Sequence, residues 1–138
     1  MGSASHIGAD KLPPSLDDLA ALAEAERSRL MPALGRFLDG VPIRVEEFPD
    51  EDVQTTMGLE SPFDLLGLYQ GGSITAEEAG FTGTMPAMIF LYRRPLLDYW
   101  CENAEPLGRL VRHVLIHEIG HHFGLSDEDM ERIEAATD

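Results

Sequence analysis

The stretch "HEIGHHFGLSD", His117 to Asp127, closes a longer segment that starts near Pro106. Leu107, Leu110, Val111, Val114 and Leu115 recur at helical spacing along one side of that segment, and Ile116, Ile119 and Phe123 form a stripe on roughly the opposite side. At about 100° per residue, His117, Glu118 and His121 continue the first stripe where its aliphatic residues stop. The spacing predicts a helix buried almost all round, with polar groups set in its apolar track. Burying such groups is costly unless something satisfies them.

A metal ion would do so. Histidines four apart lie about one turn from each other on one helix face, so His117 and His121 can both reach one Zn²⁺. Glu118, one step round the helix, is too far aside to be the obvious third ligand. It is well placed to take a proton from a water activated by the metal, as a general base in amide hydrolysis. A catalytic zinc also needs a third protein ligand and an open position. Gly124 can take the left-handed conformation that ends the helix and folds the chain back. Asp127, three residues later, then becomes the candidate third ligand, with Asp129 and Glu131 in reserve. A competing reading makes "SDED" the start of a final helix, with Ser126 as N-cap and Asp127 in the first turn.

Other polar residues near the motif have plainer readings. His113 reads as a solvated or hydrogen-bonded helix histidine, and His122, four after Glu118, as a candidate to orient that carboxylate or as a surface residue. Tyr69, Tyr92 and Tyr99 read as core or sheet tyrosines, Met130 as core on a last helix, and Cys101 as a buried, inert thiol.

Upstream, "PPSLDDLAALAEAERSRLM" has Ser15 as N-cap, acids in the first turn and apolar residues at Leu16, Leu19, Ala20, Ala23 and Leu30. It predicts an amphipathic helix that Pro32 interrupts, with "ALGRFLDG" adding a short second helix that ends at Gly40. "VPIRVEEF" alternates with a period of two and predicts a strand, placed on a sheet edge by Pro42. "PDEDVQTTMGLESP" reads as an acidic, turn-rich connection and "FDLLGLYQGG" as a second strand closed by Gly71-Gly72. "SITAEEAGFTGTMP" reads as a long loop and a candidate wall for a site. "AMIFLYRR" is an apolar run of the kind found in strands covered on both faces. "PLLDYWCENAEP" reads as the turn into the long helix.

The 138 residues predict one domain, residues 1–138, with residues 1–12 as a flexible tail in which His6 is given no role. Hydrophobic residues make up 43% and charged residues 25%, the balance of a folded protein. No run approaches the roughly 20 apolar residues that span a bilayer, and the N-terminus lacks a signal-peptide pattern. With one cysteine excluding an internal disulfide, the expectation is a cytoplasmic protein with no membrane partner. The formal net charge is -15, and the ten basic residues do not cluster, which argues against a nucleic-acid partner.

With these stretches in place, "HEIGHHFGLSD" fits HExxHxxGxxD, the aspartate variant of the metzincin-type zinc signature. Together with "DLLGLYQG" and "AMIFLYRRP" it resembles the small one-domain zincin-like metallopeptidases of bacteria, over roughly residues 41 to 133. The resemblance implies an α+β fold in which a small mixed sheet packs against an N-terminal helix and a buried active-site helix. It implies Zn²⁺ held by His117, His121 and Asp127, Glu118 as general base, and a peptide or protein substrate that pairs with a sheet edge. Larger metzincins have a C-terminal subdomain and a methionine-containing turn, for which the eleven residues after Asp127 leave little room. The same shortage argues against a zinc-binding glutamate on a later helix. Two other classes compete: a metal-dependent ribonuclease of the rRNA-processing type, and a non-catalytic zinc-binding domain that recognises a partner. Glu118 speaks against both, since neither pattern calls for a carboxylate at that position.

Overall fold

The computed structural model describes residues 12–71 and 86–138. Ser15 opens the first helix, α1 (Leu16–Leu38), in a reciprocal capping box with Asp18. The expected interruption at Pro32 is present as a kink that divides α1 into two helical segments. The helix continues past the proline, with non-helical angles at Leu34 (φ -123°, ψ 15°). Beyond its end the Arg27 guanidinium donates to Leu38 O, which also accepts from Val41 N, and to Val41 O in the connection that follows.

Strand β1 (Ile43–Glu46) follows, then α2 (Glu51–Met57), a single turn of 3₁₀ helix at Pro62–Asp64, and β2 (Gly67–Gln70). After the undescribed stretch, β3 (Met88–Tyr92) runs straight into α3 (Arg93–Glu102), and α4 (Leu107–Phe123) and α5 (Asp127–Thr137) complete the chain. The expected loop at "SITAEEAGFTGTM" and the tail up to Lys11 lie outside the described residues.

The sheet order is β1-β3-β2, with β3 parallel to β1 and antiparallel to β2. The fold is therefore α+β with a small mixed sheet, as expected, and among the described residues β1 lies on an edge, as Pro42 suggested. Ile89 and Leu91 of β3 are fully buried and join Leu30, Leu34, Leu38, Leu115 and Ile119 in a core between the sheet and helices α1 and α4. The opposite face of β3 is less covered than its apolar run suggested. Phe90 is half-buried, and with Tyr92 it borders a cleft of about 330 Å³ that also meets Glu46, Asp50 and Asp52.

Three further expectations change. The acidic connection contains α2, capped by Asp50 and ended by Gly58 at φ 66°; it buries no residue and so shows no apolar stripe in the sequence. The segment "PLLDYWCE" is helical, because Pro95 stands at the third helical position, where a missing N–H costs no bond. Cys101 and Tyr99, on the outer side of that helix, are exposed rather than buried.

Gly67 fixes how closely α4 approaches the sheet. A Cβ built there would stand 2.7 Å from Val114 Cγ1 and 3.0 Å from Phe90 O. Gly67→Ala is expected to push helix and strand apart at a cost of about 1–3 kcal/mol in urea unfolding. Adding Val114→Ala should return part of that loss. A Gly67→Ala chain as stable as the parent would mean that the contact is slack.

Candidate metal centre

Helix α4 begins at Leu107, and Leu110, Val111, Val114, Leu115, Ile116 and Ile119 are buried along it, so the near-complete burial read from its two stripes is present. The exception is a ridge at four-residue spacing: Arg109, His113 and His121 are exposed and His117 is half-buried. Gly124 ends the helix in the left-handed region at φ 76°, and the chain reverses as expected. Met130 of α5 is 1% exposed and closes against Gly120, where an added Cβ would collide with its side chain; it is a core residue.

His117 and His121 face each other one turn apart, with ring centroids 5.8 Å apart and planes at 73°. Two imidazoles bound to one zinc at about 2.0–2.1 Å in tetrahedral geometry have centroids about 5 Å apart, so small ring rotations bring this pair onto one ion. The two histidines fit zinc in type and, after that rotation, in spacing, but among the described residues no group of three ligand atoms within 4.8 Å of one another includes His121 or Asp127.

Glu118 points to the other side of that ridge. It lines a cleft of about 380 Å³ with His121, His122, Tyr69, Leu68, Leu65 and Met57. Burial pushes its carboxyl up to about 7 from the ordinary 4.5, against the opposing effect of a hydrogen bond from the Tyr69 backbone N–H. That bond follows from strand register. Tyr92 N donates to Leu66 O, and Leu68 pairs with Phe90, so the ladder bonds of β2 fall at the even positions. The amides and carbonyls of Gly67 and Tyr69 therefore point away from β3, out of an edge that no other strand covers among the described residues, and the Tyr69 amide meets Glu118 there.

His122 lies against the Tyr69 ring, with centroids 4.5 Å apart, and its buried Nε2 has no hydrogen-bond partner. Tyr69 is a core tyrosine, as read. Its hydroxyl donates to Phe37 O at 3.4 Å, and burial raises its pKa. Phe123 stacks on Phe37 at 4.4 Å and forms, with Ile119, the apolar back of the motif.

Asp127 is exposed at the first position of α5. The cap of that helix is Ser126, whose hydroxyl accepts from Asp129 N, so the Asp127 carboxylate has no part in the capping bond. Among the described residues, the carboxylate gathered closest to the motif histidines is a different one. Glu134 Oε1 lies 2.9 Å from His117 Nε2 and 2.8 Å from His113 Nδ1. Sequence reasoning missed Glu134 and set aside a later-helix glutamate for lack of chain. The α5 helix begins immediately after the reversal at Gly124, and two turns suffice to bring Glu134 back to His117. The available signal was helical spacing, because Glu134 lies four residues after the buried Met130 and so shares its inward face.

A comparison with curated proteins gave no match. The profile of one family, described as zincin-like metallopeptidase, matches residues 38–137, from the end of α1 through α5. That span takes in the whole sheet, the motif helix and the last helix, and the chain belongs to the zincin-like metallopeptidase family.

Proposed function

We propose that the protein is a zinc-dependent peptidase in which His117, His121 and Asp127 hold the metal and Glu118 is the general base. The observation that carries this reading is the position of Glu118: a carboxylate lifted to about 7 by burial, in a cleft with His121, opposite the outward amide of Tyr69. A base poised near neutral pH both accepts and releases a proton readily, which is what amide hydrolysis asks of it. Zinc, when bound, supplies charge that polarises a carbonyl and acidifies water.

The chain's own groups do the rest. Among the described residues no strand pairs with the outer edge at Gly67 and Tyr69, and an extended peptide can add there, so that its backbone is held in line beside Glu118. Tyr69 N–H, now donated to Glu118, is then free for the substrate, and Glu118 is released to accept a proton. His122 and Leu68 limit the space for side chains at that edge.

The reading is tested on the purified chain with a mixture of unstructured peptides. About one zinc per chain by elemental analysis, with cleavage that stops on chelation and returns on adding zinc, is the expected result. A chain that holds no zinc and gains none would sink it. In a Glu134→Gln background, where the carboxylate beside His117 cannot take the ion, Asp127→Ala should weaken zinc by more than about 100-fold in a chelator competition, since loss of even an outer partner of a ligand costs about 10–100-fold. Unchanged affinity would leave Asp127 only its favourable place in the first turn of α5, worth about 0.3–1 kcal/mol.

A further inference from the structure

We propose that α4 and α5 carry a second position for a divalent transition-metal cation, formed by His113, His117 and Glu134, which overlaps the HExxH position through His117. It does not depend on peptidase activity. His113 Nδ1 and His117 Nε2 converge on one oxygen, Glu134 Oε1, at 2.8 and 2.9 Å, and all three ligand atoms lie within 4.8 Å of one another. The two rings are 4.1 Å apart, on successive turns of one helix.

Two imidazoles and a carboxylate form a donor set suited to Zn²⁺ and its first-row neighbours, with a fourth position left for water. Ligand atoms of a tetrahedral zinc stand about 3.3 Å apart, so an ion enters if the Glu134 carboxylate withdraws by roughly half an ångström and the two rings turn to bring their nitrogens to that spacing. That side chain is 29% exposed and His113 47% exposed, which leaves both room to move and a path from solvent.

A simple ion pair would need one histidine. Here two direct their nitrogens at the same point, as a metal-binding pair four apart does. Because Nε2 of His117 has a single lone pair, one ion at a time can use it. An ion held with His113 and Glu134 takes His117 away from His121. The wild-type chain thus binds one zinc in total, distributed between a position that includes the cleft residue His121 and one that lies a turn toward the helix N-terminus.

The test reads zinc content and affinity in full-length variants at His113, His121 and Glu134, with helicity checked by circular dichroism. His121→Ala and His113→Ala are each expected to keep about one zinc per chain. The double variant, and Glu134→Gln placed in the His121→Ala background, should bind at least about 100-fold more weakly than His121→Ala alone. Both histidines are exposed, so their replacement opens no core, and Glu134→Gln preserves shape if His113→Ala perturbs the helix. If His121→Ala holds no zinc, or if the double variant holds it as tightly as His121→Ala, the overlapping position does not exist. Should His113→Ala lose all zinc while His121→Ala loses none, the ion resides with Glu134. The overlapping position then stands, and the ligand assignment of the proposed peptidase falls.

Discussion

Glu118→Gln is expected to leave zinc bound, to lower peptide cleavage by about 10²–10⁴-fold, and to make the metal-free chain more stable at pH 8. The loss of rate follows from the amide's inability to accept a proton. The gain in stability follows from burial, which favours the protonated carboxyl. With its pKa raised from 4.5 to about 7, Glu118 stabilises the fold fully below pH 4.5, and this contribution is lost as the pH rises through about 7. The full displacement corresponds to roughly 3 kcal/mol, and solvent access to the cleft reduces it to about 1–2 kcal/mol. Urea unfolding in chelator at pH 5 and pH 8 should therefore show wild type falling behind the Gln variant only at the higher pH. Parallel behaviour at both values would mean that the carboxylate is well solvated. Cleavage retained in the Gln variant would remove Glu118 from the chemistry altogether.

The motif helix was legible because two apolar stripes and a left-handed glycine gave it a period and an end. Glu118 could be placed from the same pattern, since it falls where the first stripe predicts burial. The small edge strand was legible in type but overlong, because Ser61 and Asp64 cap a 3₁₀ turn within what reads as strand. Helix α2 escaped notice for the opposite reason: its caps are in the sequence, but it buries nothing. What a single sequence does not contain is pairing between elements. The outward amide of Tyr69 depends on the β2–β3 register, and Glu134 reaches His117 only once α5 has folded back along α4. Both bear directly on the site. Asp127 illustrates the limit in another way, because ligand and first-turn acid make the same local demands on the sequence.

Arg112→Met is expected to cost about 3–5 kcal/mol of stability in urea unfolding. The apolar stripe of α1 runs through Leu19, Ala23, Leu30, Leu34 and Leu38, and Glu26 occupies the position where another apolar residue belongs. Glu26 is 5% exposed and Arg112 of α4 is 6% exposed. Arg112 Nη1 donates to Glu26 Oε1 at 3.0 Å, and Nη2 donates to the Asp138 side chain. Removing the guanidinium leaves the buried carboxylate only the exposed Arg29, whose Nε is 3.8 Å away and beyond hydrogen-bond reach, whereas Glu26→Leu with Arg112→Met replaces the pair by apolar contact and should recover most of the loss. The value of the pair then lies in aim rather than in strength. Hydrophobic contact between α1 and α4 tolerates rotation of one helix against the other, but a bonded guanidinium and carboxylate do not. A rotated α4 turns the ridge of His113, His117 and His121 away from its partners. The doubly apolar chain should accordingly unfold near the wild-type urea midpoint yet bind zinc at least about tenfold more weakly. Wild-type affinity in that variant would show that apolar packing alone fixes the helix and its histidines.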